Sequence, residues 1–93
     1  MDKVEARGLL EEFLDDLKTR SREELLGLIS NPVCIEKTGK SGTLYQIEYE
    51  ALWDSEPGRD LRIIASIDDG RFLSALKPLS ADFLVSAQGK VIE

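Results

Sequence analysis

Histidine is absent from the 93 residues and cysteine occurs once, at Cys34. Carboxylates are therefore the only side chains present in number that could carry acid–base chemistry near neutral pH. The candidates are Glu48 and Glu50, two apart in one segment, and Asp68 and Asp69 at a turn. Paired carboxylates can act as acid and base, or hydrolyse a glycosidic bond, when burial separates their pKa values. The surroundings argue for solvent instead. Gln46, Arg62, Ser66 and Lys77 share the face of Glu48 and Glu50 by parity, which predicts opposite charges neighbouring one another across strands on a solvated surface. Asp68-Asp69-Gly70 lacks the alternating ligands of a calcium loop.

Two other groupings invite chemistry. Gly39-Lys40-Ser41 resembles the end of a phosphate-binding loop, but the glycine required five residues earlier is Cys34, and a strand rather than a helix follows. It reads as a hairpin loop. Cys34 has no histidine to activate it and no adjacent lysine, so it reads as buried or half-buried strand filler. A single cysteine permits no internal disulfide and no cysteine-rich zinc site, and no cofactor or metal is expected.

Binding is better represented than catalysis. Glu11, Glu12, Asp15 and Asp16 place like charges at i,i+4 on one helix, which weakens the helix by a few tenths of a kcal/mol per pair. A solvated face explains such a quartet, and so does a docking face for a basic partner. Trp53 ends a strand beside a loop, where it belongs either to the core or to an interface as an anchor.

The elements that must position these groups are legible from periodicity. Val4, Ala6, Leu9, Leu10, Phe13, Leu14 and Leu17 recur at spacings of three and four, predicting an amphipathic helix over 2–19. Ser21 with Glu24 forms a capping-box pattern opening a second helix over 21–30, which Pro32 ends by disfavouring the α conformation at Asn31. Val33–Ile35 predicts a first strand. A five-residue loop, 39–43, would then return it into the next with Ile35 beside Ile47 and Val33 beside Tyr49.

The strongest signal follows. Tyr45, Ile47, Tyr49, Ala51 and Trp53 alternate with more polar residues, and Leu61, Ile63, Ala65 and Ile67 repeat the pattern. Pro57-Gly58 between them suits a type II turn. Asp69-Gly70 predicts a two-residue hairpin into a strand over 71–77, with Ile67 facing Phe72 and Ile63 facing Leu76. Phe83–Val85, a turn at 87–90 and Val91-Ile92 predict a short closing hairpin. The expected fold is α+β: one domain over 1–93, with two N-terminal helices packed on one face of a four- to five-stranded antiparallel sheet.

Charge narrows the function classes. Eighteen acidic and twelve basic residues give a net charge of −6, with eight acids and five bases in residues 1–30 and ten and seven in residues 31–93. Such a surface repels phosphate backbones and anionic lipids, so neither nucleic acid nor membrane is an expected partner. The acids interrupting the apolar clusters near the N-terminus leave no signal-peptide core and no membrane span, and a cytoplasmic setting is expected.

Ala65-Ser66-Ile67-Asp68-Asp69-Gly70, with Trp53 and Pro57-Gly58-Arg59-Asp60-Leu61-Arg62 ahead of it and Phe83 and Gly89 behind, resembles a family of small bacterial domains without an assigned function. The resemblance covers residues 44–93 and implies a bacterial cytosolic setting, with no catalytic or binding residues to transfer. Taken together, the residues favour a non-enzymatic acidic interaction module of the inhibitor or immunity type, binding a basic protein as a monomer or weak homodimer. The expected partner-binding residues are Glu11, Glu12, Asp15, Asp16 and Trp53. The alternative is a carboxylate-dependent hydrolase. A cleft that gathers Glu48, Glu50, Asp68 and Asp69 would favour the hydrolase, and a flat solvated face would favour binding.

Overall fold

A computed structural model of the chain describes residues 2–70 and 78–92. Two helices precede five strands: α1 (Lys3–Leu17), α2 (Arg22–Leu26), β1 (Val33–Thr38), β2 (Leu44–Trp53), β3 (Leu61–Asp68), β4 (Leu79–Val85) and β5 (Val91–Ile92). The strands form one antiparallel sheet in the order β1-β2-β3-β4-β5. The architecture is α+β, as the alternation predicts.

Parity organises everything else. Because side chains alternate across a strand, the odd-numbered residues of the sheet share one face. Tyr45, Ile47, Ala51, Leu61, Ile63, Ala65, Ile67, Phe83 and Val85 lie there, all buried. The helix supplies the cover: Ala6, Leu10, Leu14 and Leu17 of α1 join the same core, at the i, i+4, i+8 spacing of one helical stripe. Phe13 is half-buried and meets Tyr49 edge-on, with ring centroids 4.8 Å apart. Val4, read as part of the stripe, stands 86% exposed. It falls in the first turn after the N-cap Asp2, whose carboxylate accepts from the Val4 and Glu5 amides at 3.1 Å each.

The second helix is shorter than its apolar pattern suggests. Ser21 caps it by accepting from the Glu24 amide at 3.2 Å, but it ends at Gly27 rather than at Asn31. The chain leaves the helix early because Ile29 makes a parallel bridge with Ala51 of β2. Leu25 is its buried contribution to the core.

The β1–β2 register is as the loop length predicts, with Ile35 opposite Ile47 and Val33 opposite Tyr49. The loop between β2 and β3 carries the expected turn: the Arg59 amide donates to the Glu56 carbonyl at 3.2 Å, and Gly58 takes φ 86. The closing hairpin also forms, pairing Val85 with Val91. The hairpin at Asp69-Gly70 requires correction. Residues 71–77, the expected strand, lie outside the described residues, but the edge of β3 that this turn would give them belongs to β4. Ile67 faces Leu79 and Ile63 faces Phe83. The physical reason lies in the turn itself. A tight I′ turn needs positive φ at both central residues. Gly70 has φ 72, whereas Asp69 is not in the positive-φ region, and the Asp68 carboxylate instead accepts from the Gly70 amide at 2.8 Å. Asp68 thus opens an Asx-type turn at the end of β3.

Candidate functional site: the open face of the sheet

The even-numbered residues project from the uncovered side of the sheet. Registers place them in rows: Cys34, Glu48, Ser66 and Ser80; Glu36, Gln46 and Asp68; Glu50, Ile64 and Asp82; Leu52, Arg62, Leu84 and Ile92. Glu36, Glu48, Leu52, Ser80 and Asp82 are exposed, and the even residues of the central strand β3 are half-buried. Cys34 is also exposed, which corrects its reading as strand filler: an even position on the first strand points away from α1.

Among the described residues this face carries five carboxylates, from Glu36, Glu48, Glu50, Asp68 and Asp82, and one guanidinium, from Arg62. Opposite charges do neighbour one another across strands at Arg62 and Asp82, but among the described residues no cation stands directly opposite Glu48 or Glu50. Glu48 stands between Cys34 and Ser66, and Glu50 opposite Ile64; Lys77 lies outside the described residues. Arg62 is committed elsewhere. Its Nε and Nη2 donate to Asp54 Oδ1 at 3.0 and 2.7 Å, and its Nη1 donates to Asp82. The Asp54 hydrogen bonds first, then those of Asp82, hold the Arg62 pKa above its ordinary value.

None of the four carboxylates considered for hydrolysis lines either cleft described among these residues. Glu48, Glu50 and Asp68 project from the open face in different rows, and Asp69 follows the end of β3. Among the described residues, no group of three or more His, Cys, Asp or Glu side chains could hold a metal ion.

The acidic quartet of α1 is brought together on the outer side of the helix, each member exposed. Two of its members have cations from their own helix end: Lys18 Nζ lies 4.0 Å from Asp15, and Arg20 donates to Asp16 at 3.1 Å. Glu12 and Asp16 border a cleft of about 260 Å³ with Leu9, Phe13 and Lys37, so a lysine of β1 shares the space with the acids. Trp53 is placed apart from the quartet, against α2. It is half-buried, packs on the core and lies under the Arg22 guanidinium, 5.8 Å from the ring centroid. Arg22 also donates to the carbonyls of Ser86 at 3.0 Å and Gly58 at 3.3 Å, tying two hairpin loops to the helix.

One cluster escapes sequence reasoning. Glu5, in the first turn of α1, accepts from the Tyr45 hydroxyl and the Ser41 hydroxyl at 2.7 Å each, and from the Ser41 amide at 3.0 Å. The hydrogen bonds from Ser41 and then Tyr45 hold its carboxyl below the ordinary 4.5. The Tyr45 phenol, bonded to that carboxylate and withdrawn from water, is pushed up to about 12. Gly39 makes room for the arrangement, since a Cβ there would lie 2.5 Å from Glu5 Oε1. The Gly39-Lys40-Ser41 loop therefore does hold an anion, namely the protein's own carboxylate. The available signal was Tyr45 itself, a core-facing residue whose hydroxyl demands a partner.

Comparison with protein-family models, with curated proteins and with solved structures finds no match to this chain. Among the described residues, no helix is long and apolar enough to cross a membrane.

Proposed function

We propose that the protein is a small, non-enzymatic interaction module that masks a basic protein partner in the manner of an inhibitor or immunity-type protein. The observation that carries the reading is the open sheet face, which among the described residues holds Glu36, Glu48, Glu50 and Asp68 beyond the one carboxylate, Asp82, that Arg62 pairs. Charges fixed on a rigid sheet steer a complementary partner chiefly by raising its association rate. The quartet of α1 adds to the long-range field from the other side. Asp15 and Asp16 are paired with Lys18 and Arg20 and Glu12 shares its cleft with Lys37, so the quartet's contribution is the smaller one.

None of Glu48, Glu50, Asp68 and Asp69 lines a described cleft, which supports binding over carboxylate hydrolysis, because a catalytic acid and base need an enclosed site to separate their pKa values. The acidity of the face also disfavours a second copy of the chain, so the working unit is a monomer. The resemblance of residues 44–93 to small bacterial domains fits a bacterial cytoplasmic setting.

The test is capture on the immobilised chain from an extract of its native host, with a Glu48→Lys/Glu50→Lys variant as the control surface. The expected result is a basic protein, identified by mass spectrometry, held by the original and not by the variant. A partner that is acidic, or that both surfaces retain equally, would contradict the proposal.

A further inference from the structure

The open face is not uniformly acidic. One of its rows runs across the sheet as Leu52, Arg62, Leu84 and Ile92, with Ile64 one row inboard. Leu52 is 43% exposed and Ile92 40%, beside the half-buried Leu84 and Ile64. Arg62 does not break the strip. Its guanidinium is tied down by Asp54 and Asp82, which leaves its aliphatic stem to cover apolar surface.

The geometry points to an amphipathic helix with a basic flank as the part of the partner that docks here, its apolar stripe on Leu52, Ile64, Leu84 and Ile92 and its lysines or arginines over Glu50 and Glu48. This rests on the reading of the protein as a module for a basic partner and names the element recognised. Three arguments select the occupant. Side chains in this row recur once per strand, about every 4.8 Å. That matches the roughly 5–6 Å between residues three and four apart on a helix, whereas same-face residues of an extended strand recur at about 6.6 Å. The row spans three strand steps, about 14 Å, the length of roughly ten helical residues.

Charge supplies the third argument. Glu50 and Glu48, the carboxylates of the two neighbouring rows that Arg62 does not pair, lie on one side of the strip, within reach of long cationic side chains flanking an apolar stripe. A second copy of the chain would bring like charges together over the same ground. An apolar centre with charges at its rim is also the usual division of a protein interface, the centre supplying affinity and the rim steering.

The test uses the isotope-labelled full chain and a capped 14-residue peptide of leucine and lysine, with leucines at helical spacing. A control peptide carries alanine in place of leucine at equal charge. The expected result is amide shift changes concentrated at Leu52, Ile64, Leu84 and Ile92 with the leucine peptide. Affinity should fall about tenfold or more, equivalent to about 1.4 kcal/mol, for the alanine peptide and for the Leu52→Lys/Ile92→Lys chain. Equal binding of the alanine peptide, or shift changes confined to residues 11–16 of α1, would overturn the docked helix while leaving a basic partner in place. Failure of both peptides to bind would overturn the docked helix and the basic partner together. The shift map of the unaltered chain decides the question even if the lysine variant fails to fold.

Discussion

The two faces of the sheet are made by the same strands and differ only in parity, yet they solve opposite problems. The odd face packs Ile47, Ile63, Ala65 and Ile67 against α1, and no buried side-chain polar atom of the described residues lacks a hydrogen-bond partner. Among the described residues the even face sets no cation directly opposite Glu48 or Glu50 and leaves Leu52 and Ile92 exposed. A structure selected for stability alone would pair those acids across strands, as opposite charges there stabilise and isolated ones do not. The difference teaches that the fold is secured on one side, which leaves the other free to serve the recognition proposed above.

The sharpest way to break this comparison is a pair of neighbouring substitutions on β3. Ile63→Ala removes a fully buried side chain and should lower stability by about 2–5 kcal/mol in denaturant titration. Ile64→Ala, one residue on and facing out, should cost about 1 kcal/mol or less, in proportion to the smaller area it hides. Similar losses at both positions would mean that the even face is covered.

Next in size is the Glu5 cluster, which ties α1 to the β1–β2 loop on the secured side. Its folded carboxyl pKa is lowered, so its stabilisation is complete above the ordinary 4.5 and is lost as pH falls through the lower folded value. Glu5→Gln should therefore melt a few degrees below the original at neutral pH, with the gap closing in acid. The raised phenol of Tyr45 acts at the other end: its contribution is complete below 10 and disappears as pH rises through about 12. Gly39→Ala should reproduce the neutral-pH loss by displacing the Glu5 carboxylate, and the double variant should be no less stable than Glu5→Gln alone, since the two share one cause. Additive losses would contradict that shared cause.

How much of this was legible follows from where each signal resides. Strand alternation is local, so the strands Leu44–Trp53 and Leu61–Asp68, the Pro57-Gly58 turn and the β1–β2 register could be read directly. The same parity rule puts Cys34, opposite Glu48, on the open face, and there parity outweighs the usual burial of a free cysteine. The Asp69-Gly70 hairpin failed because the turn residues fit a tight connection, while the partner of β3 was decided by Leu79 to Val85 competing for the same edge. The α2 terminus depended on Ile29 meeting Ala51, and the Glu5 clamp joins residues 40 apart in the chain. Neither leaves a local trace.

The smallest stability effect should come from the helix ridge. Glu11→Lys/Glu12→Lys alters two exposed side chains on the outer side of α1 and should change stability by no more than about 0.5 kcal/mol. A larger loss would show that the ridge serves the fold.

The same variant supplies the reference for the most direct test of the central claim, that the open sheet face is the recognition surface. Association of the captured basic partner is timed at low and at high salt for the original chain, for Glu48→Lys/Glu50→Lys and for Glu11→Lys/Glu12→Lys. The account predicts that the sheet variant associates one to two orders of magnitude or so more slowly at low salt, that the helix variant is slowed far less, and that high salt shrinks both differences. Equal slowing by the two variants, or a greater effect at the helix, would contradict it and return recognition to α1.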